Sequence, residues 1–252
     1  WLRDNGDGTE QTAAQIHEAI DKSLQRLQTD YIDLYQLHWP DRPIRIFGGL
    51  GHKEMGGEIN RIEDILGALA DIQKAGKVRH FGLSNETPWG IMKFLHHSEI
   101  SQDLPRMVSV QNAYNLLNRI YELGSSEIFH REGVGLLAYS PLAQGYLTGK
   151  YQNGANPPGS RKQLFDRLQR YETPGTEAAI ASYLDIAKKY GLDASQLANQ
   201  FVTTRDFVTS NIIGATNMEQ LKLAVTSVDV ELTDEILADI DEVHLRAPNI
   251  CP

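Results

Sequence analysis

Gly76-Lys77-Val78-Arg79-His80-Phe81-Gly82-Leu83-Ser84-Asn85-Glu86-Thr87-Pro88 contains the whole plan of the chain in one repeat. Gly76, just after Lys74, stops a helix that the apolar spacing predicts over residues 62–75. Residues 78–83 read as a strand that closes on the polar pair Ser84-Asn85. Thr87 followed by Pro88 is a helix N-cap with proline at the first helical position, and the helix runs to about His97. Helix stop, strand, polar end, helix start: this is a βα unit with a parallel neighbour on each side.

The same order recurs outward in both directions. Upstream, residues 12–27 form a helix with Ile16, Ala19, Ile20, Ser23, Leu24 and Leu27 on one face. Residues 31–37 read as a strand ending in His38-Trp39-Pro40, and the Gly-rich loop at 42–57 that follows is long for a connection of this kind. Downstream, strands are expected at 107–110, 134–138 and 211–213, ending at Gln111-Asn112, Tyr139-Ser140-Pro141 and Gly214-Ala215-Thr216. Helices are expected at 125–131, 176–190, 195–204, 218–227 and 234–243. No linker or low-complexity tract divides residues 1–252, so one domain is expected. Five strands, each followed by helical sequence, imply an α/β fold with a parallel sheet, either open or closed into a barrel. An eight-stranded barrel takes ~250 residues, and here five units consume the whole length.

Composition narrows the function. The 252 residues are 41% hydrophobic, which excludes wholesale disorder. With 24 Lys+Arg against 33 Asp+Glu, neither a nucleic-acid nor an anionic-membrane surface is expected. No apolar run approaches the ~20 residues of a membrane span. The one cysteine, Cys251, cannot form an internal disulfide, and a reducing cytoplasm is the expected location.

Polar clusters fall at all five strand ends, where parallel α/β folds bind their ligands. Strand ends must also turn polar for ordinary reasons, so each cluster alone has a structural reading. His38 is either a strand-end residue or a group that polarises a carbonyl or moves a proton. Zinc is not expected, because ligands would have to come from His52, His80, His96 or His97, which do not converge. Asp33 lies in an otherwise apolar strand and is given no catalytic role. Gly214-Ala215-Thr216-Asn217 opens a helix with Gln220 three residues beyond Asn217, which reads as a capping box and also as a phosphate site. Ser140-Pro141-Leu142-Ala143-Gln144-Gly145, with Lys150 and Arg161 beyond, offers a hydroxyl, amides and two cations. The signatures GxGxxG, GxxxxGK[ST] and HExxH are absent, which argues against a Rossmann site and a P-loop.

Tyr31-Ile32-Asp33-Leu34-Tyr35-Gln36-Leu37-His38-Trp39-Pro40, the run from Gly76 to Asn85, Gln111-Asn112-Ala113-Tyr114-Asn115 and Leu137-Ala138-Tyr139-Ser140-Pro141-Leu142 resemble the aldo-keto reductases. Gly149-Lys150-Tyr151 and Gly214-Ala215-Thr216-Asn217-Met218-Glu219-Gln220-Leu221 extend the resemblance over essentially the whole chain. Phe47-Gly48-Gly49-Leu50-Gly51 and Asn85-Glu86-Thr87 resemble the Tas-like branch, near the potassium-channel β-subunits.

The resemblance implies NADPH-dependent reduction of an aldehyde or ketone in a (β/α)8 TIM barrel. It implies that His38 orients the carbonyl oxygen and that Ser84, Asn85 and Gln111 bind the carboxamide. Tyr139 matches the aromatic residue that stacks beneath the nicotinamide. Ser140, Pro141, Leu142, Gln144, Lys150 and Arg161 match the loop over the pyrophosphate and the adenosine side. Gly214, Thr216 and Gln220 match the closing phosphate site, and Lys150, Arg161 and Thr216 favour NADP(H) over NAD. Trp39 and Phe47, with residues 145–171 and the tail from His244, are the expected substrate-facing parts; no metal is implied.

Two departures accompany the match. The family's catalytic Asp, Tyr and Lys lie on its first three βα units, and the chain, which begins at Trp1, is expected to supply about the last five. Of the four catalytic groups it carries His38, so negligible turnover is expected of these residues alone. The family's adenine-contacting Glu-Asn pair is replaced by Leu223 and Ala224, which implies looser adenine recognition. The alternatives to a reductase are an NADP(H)-binding regulatory subunit and an inactive remnant.

Overall fold

The computed structural model describes residues 11–44, 61–165 and 169–251. The chain forms two compact units, one from residues 1–45, 52–111 and 128–135, the other from 46–51, 112–127 and 136–252.

The first unit opens with α1 (Ala13–Leu27), started by a reciprocal capping box between Thr12 and Gln15. Its buried face is Ile16, Ile20 and Leu24. Leu27, expected on that face, is 64% exposed, because it lies in the last turn, next to Gln28, whose left-handed backbone ends the helix. β1 (Ile32–Leu37), α2 (Ile62–Lys74), β2 (Val78–Ser84), α3 (Pro88–Ile100) and β3 (Met107–Ala113) follow. Thr87 caps α3, its hydroxyl accepting from the Gly90 amide. β1 pairs parallel with β2 and β2 with β3, in registers that set Leu37 beside Leu83 and Ser84 beside Gln111. Ile20, Leu66, Leu69, Ile72, Phe81, Leu95, Met107 and Val110 form the centre of this core.

α4 (Ser125–Glu132) leads into β4 (Gly135–Tyr139). The second unit then holds α5 (Arg161–Phe165), α6 (Thr176–Lys189), α7 (Ala194–Thr203), β5 (Val208–Ile212), α8 (Met218–Val225) and α9 (Asp234–Arg246). β4 and β5 are parallel, with Ala138 beside Asn211 and Tyr139 beside Ile212. β5 begins three residues before the expected start, because ladder pairing with β4 recruits Val208, Thr209 and Ser210, a stretch with too few apolar residues to signal a strand. The helix expected over 218–227 ends at Val225 and tightens into a 3-10 turn, Thr226–Asp229. Rings pack the interior: Tyr114 stacks on Phe201 at 5.9 Å and meets Phe207 edge-on at 5.2 Å. Among the described residues no helix is long and apolar enough to cross a membrane.

Candidate active site

In the first unit, the strand registers bring the ends of β1, β2 and β3 level, and four of the expected site residues meet there. Ser84 donates its hydroxyl to the Gln111 carbonyl at 2.9 Å. The Asn85 side-chain amide donates to the His38 carbonyl at 3.0 Å and to the Ser84 hydroxyl at 3.2 Å. The Asn85 backbone amide donates to the Gln111 carbonyl at 3.0 Å. Gln111 in turn donates through Nε2 to Gln36 at 3.1 Å, and Gln36 donates to the Leu83 carbonyl at 3.3 Å. Asn85 adopts a left-handed backbone, φ 55°, which asparagine tolerates better than most residues. Ser84 and Asn85 are buried, Gln111 is half-buried, and His38 is exposed. A buried, hydrogen-bonded amide set of this kind can read a flat amide, while an exposed imidazole beside it can serve a carbonyl oxygen.

One neighbouring feature escapes the sequence reading. Arg42, in the loop after β1, donates bidentately to Glu86, with Nη1 to Oε2 at 3.0 Å and Nη2 to Oε1. Nη2 also donates to the Thr87 hydroxyl at 3.0 Å, and the Thr87 amide donates to Glu86 Oε1 at 2.7 Å. The two side chains are 11% and 2% exposed. Beside them, Leu37, Trp39, Pro40, Ser84 and Glu86 help line a cavity of about 20 Å³. Trp39 is half-buried and its carbonyl accepts from Gln11. The only signal in the sequence was a charged residue directly after Ser84-Asn85. Phe47, the run from Gly48 to Gly51, and His52 lie outside the described residues.

The second unit presents a different surface. After β4 the backbone turns left-handed at Ser140 (φ 59°), Ala143 (φ 48°), Gln144 (φ 58°) and Gly145 (φ 102°). These values cluster in one six-residue stretch, and strain of this kind concentrates at ligand clamps. Leu142 accepts from the Gly145 amide at 2.8 Å and Ala143 donates to Ser140 at 2.9 Å, while Pro141 is buried. Gln144 Oε1 is buried with no hydrogen-bond partner among the described residues. A Cβ at Gly145 would stand 2.8 Å from Lys150 Cε, so the glycine lets Lys150 fold back over the turn. Lys150 and Arg161 are both exposed. Tyr139 is half-buried; burial raises its hydroxyl pKa, opposed by the Arg170 guanidinium that hydrogen-bonds it.

At the start of α8 the cap differs from the expected box. Asn217 accepts from the Gln220 amide at 2.9 Å, but the Gln220 side chain accepts from the Thr216 amide and hydroxyl at 2.9 and 3.0 Å, one residue further out. The stretch from Gly214 to Gln220 is exposed, and among the described residues beyond its two chain neighbours nothing lies within 4 Å of where a Gly214 Cβ would stand. Exposed first-turn amides with open space above them suit an anion. Ala224, by contrast, is buried in α8.

The remaining candidates separate from both surfaces. Asp33 is exposed and pairs at 2.5 Å with Arg79 on the neighbouring strand β2. The tail beyond α9 is pinned: Asn249 accepts from the Arg119 amide at 2.8 Å, Ile250 from Thr173 at 2.6 Å, and Cys251 donates to Leu117 at 3.1 Å. Among the described residues no three of His, Cys, Asp and Glu group as metal ligands.

Comparison with known proteins adds an independent result. Residues 3–245 match the Aldo/keto reductase family. Protein tas of Escherichia coli is 50% identical over 91% of this chain, which spans 66% of that relative's length. An aldo-keto reductase of Babesia bovis is 38% identical over 98% of the chain and 91% of its own length. L-glyceraldehyde 3-phosphate reductase of Escherichia coli is 32% identical over 89% of the chain and 61% of its own length.

Proposed function

This chain belongs to the aldo/keto reductase family, whose architecture is a (β/α)8 barrel, and from that premise we propose that the whole protein reduces aldehydes or ketones to alcohols with NADPH. The observation that carries the proposal is the wired cluster of Ser84, Asn85 and Gln111 beside the exposed His38. The donor set fits the cofactor. Amide side chains held in fixed orientation suit a carboxamide, and the strained turn at Ser140–Gly145 offers backbone amides and cations to phosphates.

NADPH supplies the hydride when bound. Asn85 and Gln111 would hold the carboxamide and so select the ring face presented, with Ser84, bonded to the Gln111 carbonyl, supporting their geometry. Tyr139 supplies an aromatic face. Ser140, Pro141, Leu142 and Gln144 would hold the pyrophosphate, Gly214 and Gln220 would form the last anion site, and Lys150, Arg161 and Thr216 would favour the ribose phosphate of NADP(H). His38 donates a hydrogen bond to the carbonyl oxygen, polarising it for reduction. Trp39, next to His38 in the chain, would face the substrate. The likeness to L-glyceraldehyde 3-phosphate reductase makes small phosphorylated aldehydes the first class to try. A cytoplasmic location suits the free thiol of Cys251.

The test is NADPH consumption by the whole protein with a panel of aldehydes and ketones, beside titrations of NADPH and NADH. Turnover with NADPH preferred is expected, and His38→Ala should abolish most turnover while leaving NADPH affinity within about threefold. Nucleotide binding without turnover on any carbonyl would replace this reading by the regulatory one. Absence of nucleotide binding would remove both.

A further inference from the structure

We propose that the buried Arg42–Glu86 ion pair is the positioning element of the reduction site, fixing the aim of His38 and of the Asn85 amide; this rests on the cofactor reading above. The pair joins two loops that each carry a site residue. Arg42 lies four residues after His38, and Glu86 directly follows Asn85. The Asn85 side-chain amide ties the same two loops by donating to the His38 carbonyl. The bidentate fork of Arg42 on Glu86, with Thr87 accepting from the same nitrogen, adds three directional hydrogen bonds between the loops.

The surroundings are built for this pair. The Trp89 ring centroid lies 5.0 Å from the Arg42 guanidinium carbon. Gly90 leaves the space the pair fills: a Cβ there would collide with Glu86 and stand 2.6 Å from Arg42 Nη2. A buried ion pair is a poor device for stability alone, because apolar residues of the same volume usually do as well. Its distinctive property is orientation. Glu86 also accepts from the Thr87 amide, so the carboxylate is locked to the backbone that begins α3, one residue from the left-handed Asn85. Rotation at Glu86 would therefore turn the Asn85 amide away from both of its acceptors.

The experiment compares binding of NADP and of adenosine 2′,5′-bisphosphate, which lacks the nicotinamide, to the whole protein and to Arg42→Lys and Glu86→Gln. Calorimetric titration should show NADP affinity falling about tenfold in either variant, with affinity for the bisphosphate within about twofold. Where turnover is measurable, kcat should fall by about tenfold or more with little change in carbonyl KM, since misplacement of reacting groups acts on rate. Stereospecifically deuterated NADPH should show leakage of deuterium transfer to the wrong ring face. Equal loss for both nucleotides would mean general destabilisation and would overturn the positioning role, as would no loss for either. Arg42→Lys keeps the charge, so a fold failure confined to Glu86→Gln leaves the test intact. A wild-type protein that binds neither nucleotide would end the cofactor reading itself, a distinct outcome.

Discussion

The strand ends of the first unit and the turn after β4 in the second are built by opposite means. At the first, the Ser84, Asn85 and Gln111 side chains are held by hydrogen bonds, to the backbone carbonyls of Gln111 and His38, to the Ser84 hydroxyl and to Gln36. The second, Ser140–Gly145, is built by backbone, with three non-glycine residues in the left-handed region and a buried glutamine oxygen left unmatched. Prepaid side-chain hydrogen bonds give orientation, which a flat, neutral group needs. Strained backbone and exposed helix amides give positive potential, which phosphates need without regard to fine angle. One unit stores order and the other stores strain.

The largest effect should come from breaking the ordered side. Glu86→Ala leaves the Arg42 guanidinium buried and unmatched, and should destabilise the protein by about 3–5 kcal/mol in urea unfolding. A loss under about 1 kcal/mol would mean that the rim is not preset. The strained side should respond in the opposite direction. Gln144→Gly relieves the left-handed backbone and removes the unmatched oxygen, so stability should rise by about 1 kcal/mol while NADPH affinity falls. A loss of stability there would show that the turn holds no strain.

A smaller, pH-dependent effect belongs to His244 in α9. Burial and then the Arg119 charge lower its pKa below the ordinary 6.5, against the opposing pull of Glu122 and Asp241. The unfolded chain therefore takes up the proton first. Stability is complete above about pH 6.5 and is lost as pH falls toward the folded value. Thermal unfolding between about pH 7.5 and 5.5 should show this slope, and His244→Gln should flatten it. The smallest effect is expected from Asp33→Ala, whose partner Arg79 is likewise exposed: under about 1 kcal/mol by the same unfolding measurement.

What was legible in the sequence was local. The starts of α1 and α3 follow from Thr12–Gln15 and Thr87-Pro88, whose contacts span three residues or fewer. The strand ends were legible because apolar runs stop abruptly there. Three features were not. The Arg42–Glu86 pair joins positions 44 apart, and neither residue carries a local signal of burial. The left-handed turn falls on Ser140, Ala143 and Gln144, residue types that give no warning of it. β5 opens with a lone apolar residue, Val208, followed by the polar Thr209, Ser210 and Asn211, and is held by ladder bonds to β4, so periodicity misses its start. His38, Ser84, Asn85 and Gln111 were found as strand-end residues, but their mutual wiring depends on parallel register, which no single segment encodes.

The pinned tail gives the molecule a clock. Cys251 is the one thiol in the sequence and is wholly buried, its sulfur 3.3 Å from the Thr176 hydroxyl and 3.7 Å from that of Thr173. Burial also raises its pKa, so little thiolate exists to react while the segment is seated. Alkylation by a maleimide can then proceed only as fast as the segment lifts away. Its rate reads the opening frequency of this one corner, at a single residue and without an added label.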